Sequence, residues 1–159
     1  MTSQRRWPAY ALAALFLAYA AGKAAFALQH RLGFPGGPPA PAEYFMDPAF
    51  AQWMAAASGV LGACVTLATL GRWVPRRLMP AVLAVMFLAV GGGAGIMIVD
   101  GFVGIGIGWR WYHGVVGVVV IALFVETVRC YVVRSWPRDP LTRDHHRQPG
   151  RLRARRGAS

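Results

Sequence analysis

Four separate runs of about twenty apolar residues, over 7–28, 50–70, 79–99 and 111–133, set the terms for how this chain folds. A helix rises 1.5 Å per residue, so each run matches the roughly 30 Å hydrocarbon core of a bilayer. Ala, Leu, Val and Gly dominate the runs, and none alternates as a barrel strand does. In hydrocarbon every backbone amide needs a partner within its own segment, which selects helices. Pro8 and Pro80 fall near segment starts, where a helix loses no hydrogen bond to them. The predicted fold class is therefore all-α membrane, a four-transmembrane-helix bundle over 1–134 followed by a basic tail over 135–159.

Composition agrees. Charged residues make up 14% of the 159, against the quarter or so usual in a soluble domain. Mean hydropathy is +0.41. The net charge of +11 is unevenly placed, with eight arginines between Arg134 and Arg156. A charge confined to tails and loops does not describe a nucleic-acid-binding fold, so no nucleic-acid partner is expected. One Lys against sixteen Arg, with abundant Ala, Gly and Pro, points to a GC-rich genome.

The arginines also orient the chain. Arg5 and Arg6 precede the first run, Arg72, Arg76 and Arg77 separate the second from the third, and Arg129, Arg134 and the tail follow the fourth. The other two connections hold only Arg31, against Glu43 and Asp47, and Asp100 with Arg110. The positive-inside rule then puts both termini in the cytoplasm, an N-in/C-in multi-pass protein of the bacterial cytoplasmic (inner) membrane. Trp7, Trp73, Trp109, Trp111 and Trp136 lie at run ends, where interfacial anchors belong. The start also has the form of a signal peptide, with Ala18-Tyr19-Ala20 as the cleavage site. Apolar character continues to Leu28, longer than such a peptide needs, which favours a retained span.

The connection over 29–49 contains five Pro and three Gly and forms no single regular element. Tyr44 and Phe45 within it have the character of surface-lying aromatics. The Arg-rich tail has no apolar periodicity and is expected to be disordered. Its arginines suit anionic lipid headgroups at a membrane surface. Asp144-His145-His146 is too sparse for a metal site, and no metal or other cofactor is expected. Cys64 and Cys130 read as small buried hydrophobes.

Ionisable residues inside a membrane are the default functional candidates. Lys23 lies sixteen residues past Trp7, about 24 Å into the core, so its stem reaches the outer interface. Asp100 lies at a compatible depth as an acidic partner. Helical spacing places Phe16, Tyr19, Lys23, Phe26 and His30 on one stripe. Arg110 and His113 share a face at the start of the fourth run. Lys23, His30, Asp100, Arg110 and His113 thus form a candidate outer polar cluster for an anionic, lipid-like ligand, with His113 the candidate for proton transfer. The same residues also fit an interfacial belt with no ligand. No nucleophile with an oriented base emerges, so no catalytic residue is assigned. Glu126 and Arg129, three apart, are expected to pair near the cytoplasmic side. Gly91-Gly-Gly-Ala-Gly95, the pair Ser58 and Gly62, the pair Gly59 and Ala63, and Gly114 with Gly117 supply small residues for close helix packing, within the chain or between chains.

The Lys-bearing end of the first run, the loop "LGFPGGPPAP", the Gly-rich third run and "WRWYHG" together resemble small four-helix integral membrane proteins of GC-rich bacteria, actinobacteria especially. The resemblance spans about 7–134 and implies no activity. The expected role is non-enzymatic, through helix–helix association or lipid contact, as an accessory subunit with a membrane-protein partner or as a homo-oligomer. The alternative is an enzyme or binding protein for a lipid-like or anionic substrate at the outer leaflet, using Lys23, Asp100, Arg110 and His113. A transporter is disfavoured because the middle of every run is apolar.

Overall fold

The computed structural model describes residues 6–33, 47–71, 74–105 and 108–135. Four helices fill them: α1 (Trp7–Leu28), α2 (Pro48–Ala68), α3 (Met79–Val103) and α4 (Trp111–Ser135). All four are long and apolar enough to cross a membrane, and the described residues contain no strand. Ser135, the expected first residue of the tail, ends α4, and the rest of the tail, together with Tyr44, Phe45, Trp73 and Trp136, lies outside the described residues.

The helix ends follow from local chemistry. Pro8, Pro48 and Pro80 sit in first turns, where a missing N–H costs nothing. Asp47 caps α2, its Oδ1 accepting the Phe50 N–H at 2.8 Å, so the helix starts at Pro48 and not at 50. α1 closes in a Schellman arrangement: the Arg31 N–H donates to the Phe26 carbonyl and the His30 N–H to Ala27, with His30 at φ 51 in the left-handed position. α3 runs four residues beyond the expected 99, because Asp100 is accommodated within its last turn. It stops at Gly104, whose φ of 75 suits a glycine and whose N–H donates to the Asp100 carbonyl.

The helices pack as two antiparallel hairpins, α1 on α2 and α3 on α4. On α2 the buried stripe is Gln52, Ala56, Gly59, Ala63 and Thr66, a spacing of four and three that keeps one seam facing its neighbour. It faces α1, on which Ala9, Ala13, Ala20 and Ala27 are buried, and a Cβ on Gly59 would lie 3.0 Å from the Ala20 Cβ. Cys64 follows Ala63 by one residue, turning about 100° off this seam, so it is exposed, contrary to its expected burial. Cys130 is half-buried, its thiol 3.8 Å from Glu126 Oε1. The hydroxyls of Ser58, Thr66, Thr69 and Thr127 donate to carbonyls three or four residues back on their own helices, which satisfies them in an apolar layer.

At the α3–α4 seam, a Cβ on Gly101 would lie 2.9 Å from the Gly114 nitrogen and 3.0 Å from the Arg110 carbonyl oxygen, so the two backbones touch there. Within the run Gly91–Gly95 the α4 contact is made by Ala94, whose carbonyl oxygen would lie 2.8 Å from a Cβ on Gly117, and not by the glycines. Cβ atoms on Gly91, Gly92, Gly93 and Gly95 would meet nothing within 4 Å.

The hairpins join at one end only. Where α1 begins and α4 finishes, which we call the proximal end, Leu12, Met79, Leu83, Met86 and Phe124 form a shared core. An Arg134 guanidinium N–H donates to the Thr69 carbonyl at 3.4 Å, tying α4 to the end of α2. α1 also touches α4, but α2 and α3 barely meet. Toward the opposite, distal end the hairpins separate.

Candidate functional site

The separation leaves a cleft of about 1330 Å³. Its inner end lies against Leu12 and Met86. It runs along Phe16, Gly59, Gly62, Ala89 and Gly93 to a distal mouth at Lys23, Gln52 and Trp109. Its walls are apolar over most of their length, and its open side is the gap between α2 and α3. Among the described residues lining it, Lys23 is the one that carries a charge. The volume exceeds the roughly 300–1,000 Å³ that usually encloses a small organic ligand. Measured along α3, the lining runs from Ala81 to Met97, a rise of sixteen residue steps or about 24 Å in a core about 30 Å thick.

The distal mouth is built by a knot of polar contacts around one carbonyl. After the Schellman turn the chain folds back over the end of α1, and the Gly33 carbonyl accepts from Lys23 Nζ at 2.8 Å and from Gln52 Nε2 at 2.9 Å. Gln52 also donates to the Arg31 carbonyl at 3.1 Å. A primary amide has two N–H donors, and Gln52 uses both to fasten the turn to α2. It is 2% exposed, a polar side chain fully enclosed at the α1–α2 seam. The Lys23 ammonium also lies 5.6 Å from the centre of the Tyr19 ring, within cation–π range. Leu32 and Gly33 roof the cleft at this point.

A second knot sits at the start of α4. Asp100, 2% exposed, accepts the Trp109 backbone N–H at 2.6 Å through Oδ2. His113, 3% exposed, accepts the Arg110 N–H at 3.1 Å through Nδ1. Arg110 is the residue before the helix and His113 the third within it, so the imidazole performs the back-reaching half of a capping box. The His113 ring packs edge-on to Trp109, with centroids 4.7 Å apart, and against Tyr112 at 4.2 Å. Two backbone N–H groups that precede α4 thus receive side-chain acceptors.

Lys23 lines the cleft. His30 does not continue the α1 stripe: it leaves the helix, is exposed, and serves as the left-handed residue of the terminal turn. Asp100 lies inside α3 and not in the loop after it, and it joins Arg110 and His113 around the start of α4. Arg110 itself is exposed. None of His30, Asp100, Arg110 and His113 is among the residues lining the cleft. At the proximal end Arg129 Nη1 lies 3.7 Å from Glu126 Oε2, a partly exposed pair of small energetic weight.

Two cleft residues escape a reading of the sequence. Gln52 is a neutral amide in an apolar run, and only its place on the 52–56–59–63–66 spacing marks it as buried. Trp109 reads as an interfacial anchor, yet it is half-buried and forms part of the mouth. Among the described residues no three His, Cys, Asp or Glu side chains gather as a metal site requires. Comparison with protein-family models, with curated proteins and with solved structures gives no match.

Proposed function

We propose that this chain is an integral membrane protein that takes an amphiphilic, lipid-like molecule from the bilayer into the cleft between its two helical hairpins. The observation that carries the reading is the cleft itself, apolar along its walls, polar at its mouth and open sideways between α2 and α3. In a bilayer, lipid chains are the medium outside that opening. Four membrane-length helices with exposed apolar side chains, among them Leu61, Val85 and Leu88, support an opening at chain depth.

The arginines support an orientation with the proximal end in the cytoplasm and the mouth at the outer leaflet, as in a bacterial inner-membrane protein. Reporter fusions after Gly71 and after Ser159 are expected on the same, cytoplasmic, face. Opposite faces contradict the orientation. The role is holding or presenting the amphiphile, as an accessory protein does. Asp100 and His113, the residues an enzyme at this face would use, each accept a backbone N–H where α4 begins, which supports a positioning role for them.

Filling the cleft tests the reading. Gly93 lines it, and a Cβ there meets nothing within 4 Å, so the side chain of Gly93→Leu starts out into open space in the cleft. Gly92 is equally open but is not among the lining residues, which makes Gly92→Leu the matched control. Gly93→Leu is expected to lose the lipid that wild type and Gly92→Leu keep through purification.

A further inference from the structure

The end of the molecule where the hairpins join carries charge of one sign. Antiparallel packing brings Arg6 before α1, Arg76 and Arg77 before α3, and Arg129 and Arg134 near the finish of α4 to this proximal end. Glu126 is the only carboxylate there among the described residues. At the distal end Lys23, Arg31 and Arg110 stand with Asp47 and Asp100, so the two signs are nearly matched. We propose that the proximal face binds the anionic headgroups of the surrounding phospholipids, and that these headgroups tie the two hairpins together. The inference rests on the membrane placement just given and not on what the cleft holds.

The five arginines are not alike. Arg134 is half-buried and donates to the Thr69 carbonyl, and Arg129 lies beside Glu126. Arg6, Arg76 and Arg77 are exposed, and they carry the proposal. Their neighbours set their level. Trp7 follows Arg6 and Leu78 follows Arg77, and both are exposed apolar side chains at the ends of membrane-length helices. A tryptophan at a helix end settles at the membrane–water interface, so the guanidinium groups beside this level lie among headgroups. The anions met there are lipid phosphates, whose oxygens match the paired N–H groups of a guanidinium. A soluble polyanion would have to reach the same arginines through that layer.

Position supplies the consequence. Arg6 leads into the first hairpin, and Arg76 and Arg77 lead into the second. Met79, two residues past Arg77, is buried in the core that joins the hairpins, and Leu12 of α1 belongs to the same core. Headgroups that contact Arg6 and Arg77 therefore cover the joint. Folding gathers these like charges at one end, where they repel one another. Anions that bind the gathered arrangement offset that repulsion and stabilise the folded state by mass action.

The test places full-length protein in nanodiscs of phosphatidylcholine, with or without phosphatidylglycerol of the same chains, and follows thermal unfolding by tryptophan fluorescence. Wild type is expected to unfold several degrees later with phosphatidylglycerol present, and added salt to shrink that gain by screening exposed charges. Arg6→Gln/Arg76→Gln/Arg77→Gln is expected to unfold no earlier than wild type in phosphatidylcholine and to lose most of the gain. Arg31→Gln/Arg110→Gln, at the opposite end, is expected to keep it. Equal transitions of wild type in the two lipids overturn the inference. So does a triple variant that keeps the full gain, or a distal pair that loses as much as the triple. Heparin that produces the same gain in phosphatidylcholine overturns it in favour of a soluble polyanion. If the triple variant does not fold, the salt series on wild type decides, since a gain indifferent to salt overturns the inference. Failure of the membrane placement shows separately, as protein that does not enter the discs.

Discussion

Gln52 and Lys23 converge on one carbonyl oxygen, and that oxygen belongs to a residue outside any helix. The Gly33 carbonyl accepts from both, and Gln52 spends its second N–H on Arg31. Hydrogen bonds within membrane bundles contribute on average about 0.6 kcal/mol each, and burying a carbonyl left unpaired adds to the loss. Gln52→Leu keeps the side-chain volume and removes two such bonds. It is expected to lower stability by about 1–2 kcal/mol, read as an earlier thermal transition in detergent, and an unchanged transition would remove Gln52 from its role as the fastener of the turn. Lys23 was legible in the sequence because a charge inside an apolar run is conspicuous and its depth follows from counting residues. Its bond to the Gly33 carbonyl was not, since a main-chain acceptor ten residues away leaves no mark in composition. Gln52 carries no charge to draw the eye, and its burial depends on which face of α2 meets α1. His30 and Asp100 show the converse. Both are conspicuous residue types, and both are used to finish or begin helices, which depends on backbone conformation and not on residue type.

The helices themselves were written in the hydropathy. α1 ends where the apolar run ends, and the other three depart from their runs by two to four residues. Asp47-Pro48 is a cap followed by a first-turn proline, and it starts α2 two residues early. Asp100 reads as a stop, but a carboxylate that accepts the Trp109 N–H is tolerated inside the last turn of α3. The glycines were legible as packing residues in general, and not as to which of them pack. Gly101 lies against the backbone of α4, whereas Gly92 has open space around it. Gly101→Ala is therefore expected to cost about 1–3 kcal/mol by forcing α3 and α4 apart. Gly92→Ala is expected to be neutral or to gain up to about 1 kcal/mol from reduced backbone freedom in the unfolded chain. Thermal unfolding of the pair in one detergent checks both. Equal effects would contradict the assignment of Gly101 to the helix contact.

At the scale of the molecule, the two hairpins and the gap between them define what the protein can do. Neither was legible in the sequence, because four apolar runs of similar length satisfy several bundle arrangements, and the runs do not say which pairs touch. The arrangement follows from side-chain size at the seams. Small residues let α1 close on α2 and α3 close on α4, while the large side chains Met79, Leu83, Met86 and Phe124 join the hairpins at the proximal end alone. The distal half then stays open, and under the proposed reading hydrocarbon fills it. The amount of lipid that stays with the purified protein tests this most directly. Counted by native mass spectrometry, wild type and Gly92→Leu are expected to carry about one tightly held lipid per chain, and Gly93→Leu, equally folded, to carry none. A Gly93→Leu protein that keeps the full complement of wild type contradicts the account.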